Sequence, residues 1–238
     1  DVVAAALDEL ERRGKLWGSA PRGGQTTEDA DATPPPAVVD LGCGEGEWCL
    51  AAAERFANLN FLGLDVRDAA LPSSATCVEG GKETGRDRRR RVWNRGGNAA
   101  FLAANSCDGD FARLLCDARG VVRYVFAQFP DPHFKRKHRR RRMLTASLCR
   151  AVALALPSDG AFVVRTDVDA VAFDVDATAA EPPQLLLSSY ASTPSLDNCN
   201  ALPDDLIGLL AVPTERELYA RRKRAPRAFE PHVRVFVP

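Results

Sequence analysis

The chain predicts an α/β protein built on a doubly wound, mostly parallel sheet. Three observations carry this. Short apolar runs alternate with segments of helical period from Ala37 onward, as strand–helix–strand units do. A glycine cluster, Gly42-Cys43-Gly44-Glu45-Gly46, joins the first apolar run to the first helical segment. Acids, Asp65 and Asp131, stand where two apolar runs end. In a parallel sheet they share the edge beyond which ligands bind.

The elements follow in order. Val2 to Arg13 predicts a short helix with Val3, Leu7 and Leu10 on one side, and Gly18 to Pro36 a polar linker. Residues 1–36 thus form an N-terminal helix and flexible linker, and residues 37–238 the main domain. Ala37 to Leu41 is a strand, Glu47 to Ala57 a helix packing through Trp48, Leu50, Ala51 and Phe56, and Phe61 to Val66 a second strand. Gly80 to Gly97 is polar and Arg-rich without apolar periodicity, which predicts an inserted or loosely helical loop. Ala99 to Ala104 is the third strand, followed by Asn105, and Phe111, Leu114 and Leu115 mark a short helix. Val121 to Phe129 is the fourth. Beyond it Met143, Leu144, Leu148, Val152 and Leu156 recur at helical spacing, so the run Lys135 to Arg142 reads as a basic helix start. Ala161 to Asp167 is the fifth strand and Val168 to Ala180 a helix. Glu181 to Val212 gives no readable pattern, while His232 to Val237 alternates as a half-buried terminal strand does.

Composition bounds the rest. The 238 residues suffice for one α/β domain with a sizeable core. Lys plus Arg and Asp plus Glu both number 32, so net charge is silent about partners, but Arg88–Arg91, Lys135–Arg142 and Arg221–Arg227 are basic blocks. Seven cysteines without a C-x-x-C pair speak against a disulfide framework or a zinc site, and no metal is expected. They suit a reducing, intracellular compartment. No apolar run approaches the ~20 residues a membrane helix needs. The expectation is a soluble protein, cytoplasmic or nuclear, or of an organelle if a leader preceded Asp1.

Glycines between a strand and a helix permit a tight turn and close backbone approach to a ligand. A plain βα turn would use them too. The spacing G-x-G-x-G, with Glu at 47, departs from the G-x-G-x-x-G of dinucleotide binders. Asp40 ahead of the loop suits a cofactor bearing an amino-acid ammonium, or caps loop N–H groups. Asp65 is placed to take both hydroxyls of a ribose. S-adenosylmethionine therefore fits better than NAD, with Asp40, Gly42, Gly44, Gly46 and Asp65 around it.

The stretch Phe129-Pro130-Asp131-Pro132-His133-Phe134 ends the fourth strand, and Lys or Arg fills seven of the next eight positions. Prolines on both sides fix the Asp131 carboxylate, which can accept N–H donors from a guanine edge or simply form a turn. Guanine N7 is a bare lone pair, so its methylation needs positioning more than a general base. The Asn/Asp-Pro-Pro-aromatic motif of exocyclic-amine methyltransferases is absent, which points to a ring nitrogen. The basic run, Arg139 and Arg142 included, suits backbone phosphates, against the plainer reading of a solvated helix face. His133 and Phe134 suit base stacking, although Phe134 equally suits a core.

Asp40-Leu41-Gly42-Cys43-Gly44-Glu45-Gly46, Gly63-Leu64-Asp65-Val66-Arg67, Phe129 through Arg136, and Pro213-Thr214-Glu215-Arg216-Glu217 together resemble the tRNA (guanine-N7)-methyltransferases. The resemblance spans roughly 37–172 and 213–236. It implies the Rossmann-like, seven-stranded fold of class I methyltransferases and methylation of the variable-loop guanosine of tRNA. It implies that Asp40, Asp65, Asn105 and Asp131 line the S-adenosylmethionine site. Lys135, Asp167 and the segment from Thr214 to Glu217 would then face the guanosine. Thr214 with Glu217 also has the spacing of a helix capping box. Some members of that family work with a WD-repeat partner subunit and others act alone; the Pro213–Glu217 wording is more like the single-chain kind.

Overall fold

The computed structural model describes residues 37–67, 76–77, 91–93, 98–103, 105, 115, 121–180, 186–191, 202–223 and 231–237. The expected N-terminal helix, the linker and most of the short helix near Leu115 lie outside these residues. In chain order the elements are β1 (Ala37–Leu41), α1 (Glu47–Arg55), β2 (Asn60–Asp65), β3 (Thr76–Cys77), β4 (Arg91–Trp93), β5 (Ala99–Ala103) and β6 (Val122–Gln128). A 3-10 turn (Arg136–Arg141), α2 (Ala146–Ala155), β7 (Ala161–Thr166), α3 (Asp169–Ala179), β8 (Leu186–Ala191), α4 (Asp204–Leu210), α5 (Glu215–Arg222) and β9 (His232–Val237) complete the fold.

All strands join one sheet in the order β3-β4-β5-β2-β1-β6-β7-β9-β8. The five strands from β5 to β7 are mutually parallel. β9 runs antiparallel to β7 and to β8. The seven strands from β5 to β8 are the expected doubly wound sheet. The structure adds a short antiparallel extension, β3-β4, on the β5 side. Part of the Arg-rich segment expected as a loop is therefore strand β4. Three residues are too few to show a period, and pairing with β5 supplies what the local pattern lacks.

The side chains of β1, β2, β6 and β7 alternate between two cores. Val38, Phe61, Phe126 and Val163 pack with Trp48, Cys49 and Ala52 of α1 and with Leu206 and Leu209 of α4. Val39, Leu41, Val125 and Val164 pack on the opposite face with Leu148 and Val152 of α2 and Val175 of α3. Period-two alternation over strands buried on both faces is what a three-layer α/β sheet requires. Trp48 anchors the first core, its ring centroid 4.7 Å from that of Phe126 and its Nε1–H donating to the Val212 carbonyl at 3.3 Å.

The expected long basic helix is two elements. Seven cations in eight positions repel at i,i+3 and i,i+4 spacing with no acid to offset them. The run forms a 3-10 turn, and α2 starts afresh at Thr145, whose hydroxyl accepts from Leu148 N–H at 3.2 Å. The unreadable tract holds β8 and α4. Among the described residues no helix is long and apolar enough to cross a membrane.

Gly63 sits where β2 meets β5 beneath the glycine turn. A Cβ there would stand 2.6 Å from Phe101 Cδ1 and 2.9 Å from Cys43 Sγ. Gly63→Ala is predicted to cost about 1–3 kcal/mol of stability, read as a lower urea midpoint at unchanged m value.

Candidate active site

The strand order reverses at β1, which lies between β2 and β6. Open α/β sheets bind ligands outside the C-terminal ends of their strands at such a point. Register brings the expected residues to this edge. Leu41 pairs with Leu64 and with Ala127, Asp65 with Ala103, and Gln128 with Arg165. The glycine turn, Asp65, Asn105, the Pro-Asp-Pro turn and Asp167 all leave the sheet on that side.

The turn after β1 is held from below. Gly42 N–H and Cys43 N–H both donate to the Leu64 carbonyl, at 2.7 and 2.9 Å. Gly42, Gly44 and Gly46 adopt φ of +72°, +56° and +73°, in the left-handed region that suits glycine. At Gly42 a Cβ would also stand 2.8 Å from Met143 Cε, whereas at Gly44 it would meet nothing within 4 Å. The backbone at Gly44 therefore faces open space in which a ligand can lie against it. Asp65, nearly buried, accepts Gly44 N–H at 3.1 Å and Arg67 N–H at 2.8 Å, which ties β2 to the turn.

Asp40 does not stand in front of the loop. It follows Val38 and Val39 in strand alternation and points under α1, 2% exposed. Its Oδ1 accepts from Gln128 Nε2 at 3.2 Å and its Oδ2 from the Cys49 thiol at 3.7 Å. Burial pushes its carboxyl up to about 7. Burial likewise raises the thiols of Cys43 and Cys49, so neither is a ready nucleophile at neutral pH.

After β6 the chain turns sharply. Phe129 and His133 have φ of +50° and +42°, uncommon for residues with a Cβ. Asp131 Oδ1 accepts from His133 N–H at 3.1 Å, closing an Asx turn, and the carboxylate is 70% exposed. Asp131 thus forms the turn and still leaves its carboxylate open to solvent. Phe134 is 63% exposed, which removes the core reading. The His133 and His138 rings meet edge to face at 6.0 Å. Among the described residues no cluster of potential metal ligands occurs.

The Thr214–Glu217 segment comes to the same edge through one side chain that sequence reasoning missed. Arg165 on β7 is 1% exposed. Its guanidinium donates to the carbonyls of Leu210 at 2.6 Å and Val212 at 3.2 Å, and to Glu217 Oε2 at 3.2 Å. The Glu217 carboxylate in turn accepts Thr214 N–H at 2.7 Å, while Thr214 Oγ1 accepts Glu217 N–H at 3.2 Å: the expected capping box. Arg216 then reaches back, donating through Nε to Asp167 Oδ2 at 3.0 Å with its guanidinium 5.6 Å from the Phe129 ring centre. Asp167, Phe129 and the start of α5 are thus one contact group. A lone Arg within the buried run Ala161–Thr166 was the signal, since a buried charge requires partners.

Lys135 is exposed, as a phosphate contact must be. Arg142 is turned to Asp174 on α3, Nη1 to Oδ2 at 3.4 Å, so its charge is partly met within the protein. The side chain of Arg139 lies outside the described residues, and Asn105 is exposed two positions beyond β5.

Comparison with known proteins gives the family. Residues 34–226 match the family model Methyltransf_4, described as "Putative methyltransferase". A tRNA (guanine-N(7)-)-methyltransferase of Synechococcus elongatus is 29% identical over 94% of this chain and 92% of its own length. Those of Synechococcus sp. strains CC9902 and WH7803 are 30% and 32% identical, each over 80% of this chain and 72% and 71% of their own. The chain belongs to the tRNA (guanine-N7)-methyltransferase family.

Two predictions follow from the buried charges of this methyltransferase. Asp40 titrates near 7 when folded, against 3.8 ordinarily, so the folded state holds its proton more tightly. The stability that Asp40 contributes without ligand is therefore full below about pH 4, falls as pH rises to about 7, and levels off above. Asp40→Asn is expected to flatten that fall, worth on the order of a few kcal/mol, in urea titrations across pH 4–8. Arg165→Met leaves the Glu217 carboxylate and two carbonyls without their donor. It is expected to cost roughly 3–5 kcal/mol, by the same measurement.

Proposed function

We propose that this chain transfers a methyl group from S-adenosylmethionine to N7 of the variable-loop guanosine of tRNA. The observation that carries the reading is the meeting, at one topological switch point, of an open glycine turn, Asp65 and the proline-locked Asp131. The family of the chain supports the reaction class. The local chemistry supports the cofactor: three left-handed glycines, open space at Gly44, and a carboxylate at the end of β2 are what an adenosine-bearing ligand needs.

When bound, S-adenosylmethionine supplies a methyl group on a positively charged sulfur. The protein's residues divide the remaining work. Gly42, Gly44 and Gly46 let the backbone approach the cofactor, and Asp65 is set to turn from Gly44 N–H to ribose hydroxyls. Asn105 borders the same ligand from the end of β5. Asp40 lies beneath the helix that caps the loop, where a cationic head group would lower its raised proton affinity. Asp131 accepts guanine N–H groups. Asp167, Thr214 and Glu217 frame the guanosine from the other side, with Lys135 and Arg139 on the adjoining phosphates. Guanine N7 carries no proton, so none of these residues acts as a base; they fix the ring in line and match its developing positive charge. Residues 37–238 act as one catalytic domain in this reading, with tRNA as the partner.

The test is incubation of the protein with labelled S-adenosylmethionine and unmodified tRNA, followed by nucleoside analysis. Label in N7-methylguanosine is the expected outcome; label on an exocyclic amine or on protein defeats the proposal. Asp131→Ala is expected to lower turnover at least about 100-fold while circular dichroism shows the fold retained. Full turnover in that variant would deprive the carboxylate of its role.

A further inference from the structure

The basic block at Arg221–Arg227 takes no part in the site so far, and its described residues lie on α5. This helix buries no side chain at all. Arg221, Arg222 and Lys223 follow one another, all exposed, and among the described residues none meets a carboxylate. Of the helix's other charges, Arg216 is engaged with Asp167 and Glu217 with Arg165, while Glu215 lies in its first turn, at the end away from the cations. Tyr219 is 57% exposed, with Lys223 Nζ 5.1 Å from its ring centre. A helix with nothing to bury gains little from packing and must be held by its ends. Here the capping box and Arg165 hold its first turn against the site, so its last turn projects from the site as a fixed cationic arm.

We propose that the last turn of α5 is a second RNA-binding ridge. Arg221, Arg222 and Lys223 take backbone phosphates and Tyr219 offers a ring face to an unstacked base. This rests on tRNA being the substrate. The 3-10 turn at Arg136–Arg141 leaves β6, and α5 abuts the end of β6 through Arg216 and Phe129. In this proposal both cationic ridges serve the polynucleotide whose guanosine lies at the Asp131 turn. For a chain of zero net charge, attraction to RNA has to come from such local concentrations.

The experiment compares wild type, the triple variant R221A/R222A/K223A, Tyr219→Ala, and Arg55→Ala as a control. Arg55 ends α1, which runs away from the site edge. Binding to unmodified tRNA is measured from low to physiological salt. The triple variant is expected to lower the slope of log Kd against log salt by about two and to weaken low-salt binding roughly ten-fold or more. Tyr219→Ala is expected to weaken binding roughly five-fold or more at unchanged slope. Turnover at saturating tRNA and affinity for S-adenosylhomocysteine should stay within about two-fold of wild type. An unchanged slope in the triple variant, or a loss per charge equal to that of Arg55→Ala, overturns the ridge. Wild type that binds tRNA through α5 but methylates no guanosine overturns the reaction proposed above and leaves the ridge standing.

Discussion

The turn after β6 and the start of α5 are both tied to Arg165, whose guanidinium is buried. A charge taken out of water at the end of β7 is tolerable only when most of its five N–H groups find acceptors. Carbonyls at the α4–α5 junction and the Glu217 carboxylate supply them. Burial lowers the proton affinity of Arg165, yet Glu217 and Asp40 oppose that, and a guanidinium stays charged. Lysine would not serve, because a point charge cannot hold a planar fan of acceptors. The backbone of the same residue accepts Phe129 N–H at 2.7 Å. One position thus fixes both the start of the Asp131 turn and the helix that carries Thr214 and Glu217.

Charge is sorted by depth. Asp40 and Arg165 are buried on the sheet; Gln128, the register partner of Arg165, donates to Asp40, while the α4–α5 junction and Glu217 satisfy Arg165. The cations that suit phosphates lie outside, on the 3-10 turn and α5, where desolvation is small. This arrangement keeps the costly buried charges few and paired while leaving exposed ones free for a polyanion.

How much was legible follows from these distinctions. The parallel strands were readable because both faces are buried and the apolar runs are dense. The glycine turn, Asp65 and the capping box were readable because each is a local motif whose chemistry lies within a few residues. The break before α2 was hidden, since the apolar spacing of Met143 and Leu144 continues through it and only cation repulsion and the Thr145 cap interrupt the helix. Strand β4 was hidden by its length. The burial of Asp40 under α1 was hidden, because sequence order places it beside the loop and only strand alternation turns it inward. Arg165 was visible as an oddity, a lone charge among valines, but its partners are 44 to 52 positions away and only the fold supplies them.

The strain in the structure gathers where the chemistry demands rigidity. Two residues with a Cβ, Phe129 and His133, take left-handed backbone angles on either side of Pro130-Asp131-Pro132. Such angles cost on the order of 1–3 kcal/mol each and persist only where the surroundings overdetermine them. Here they do: Phe129 N–H is held by β7, its ring by Arg216, and His133 N–H by Asp131 itself. A reaction that moved a proton would favour a group free to titrate and rotate. A lone-pair nucleophile with no proton to lose asks instead for an acceptor that does not move, the part the proposed reaction gives to this proline-bounded carboxylate. The backbone angles and the prolines of this turn thus meet one requirement of the proposed reaction: that the ring be held still.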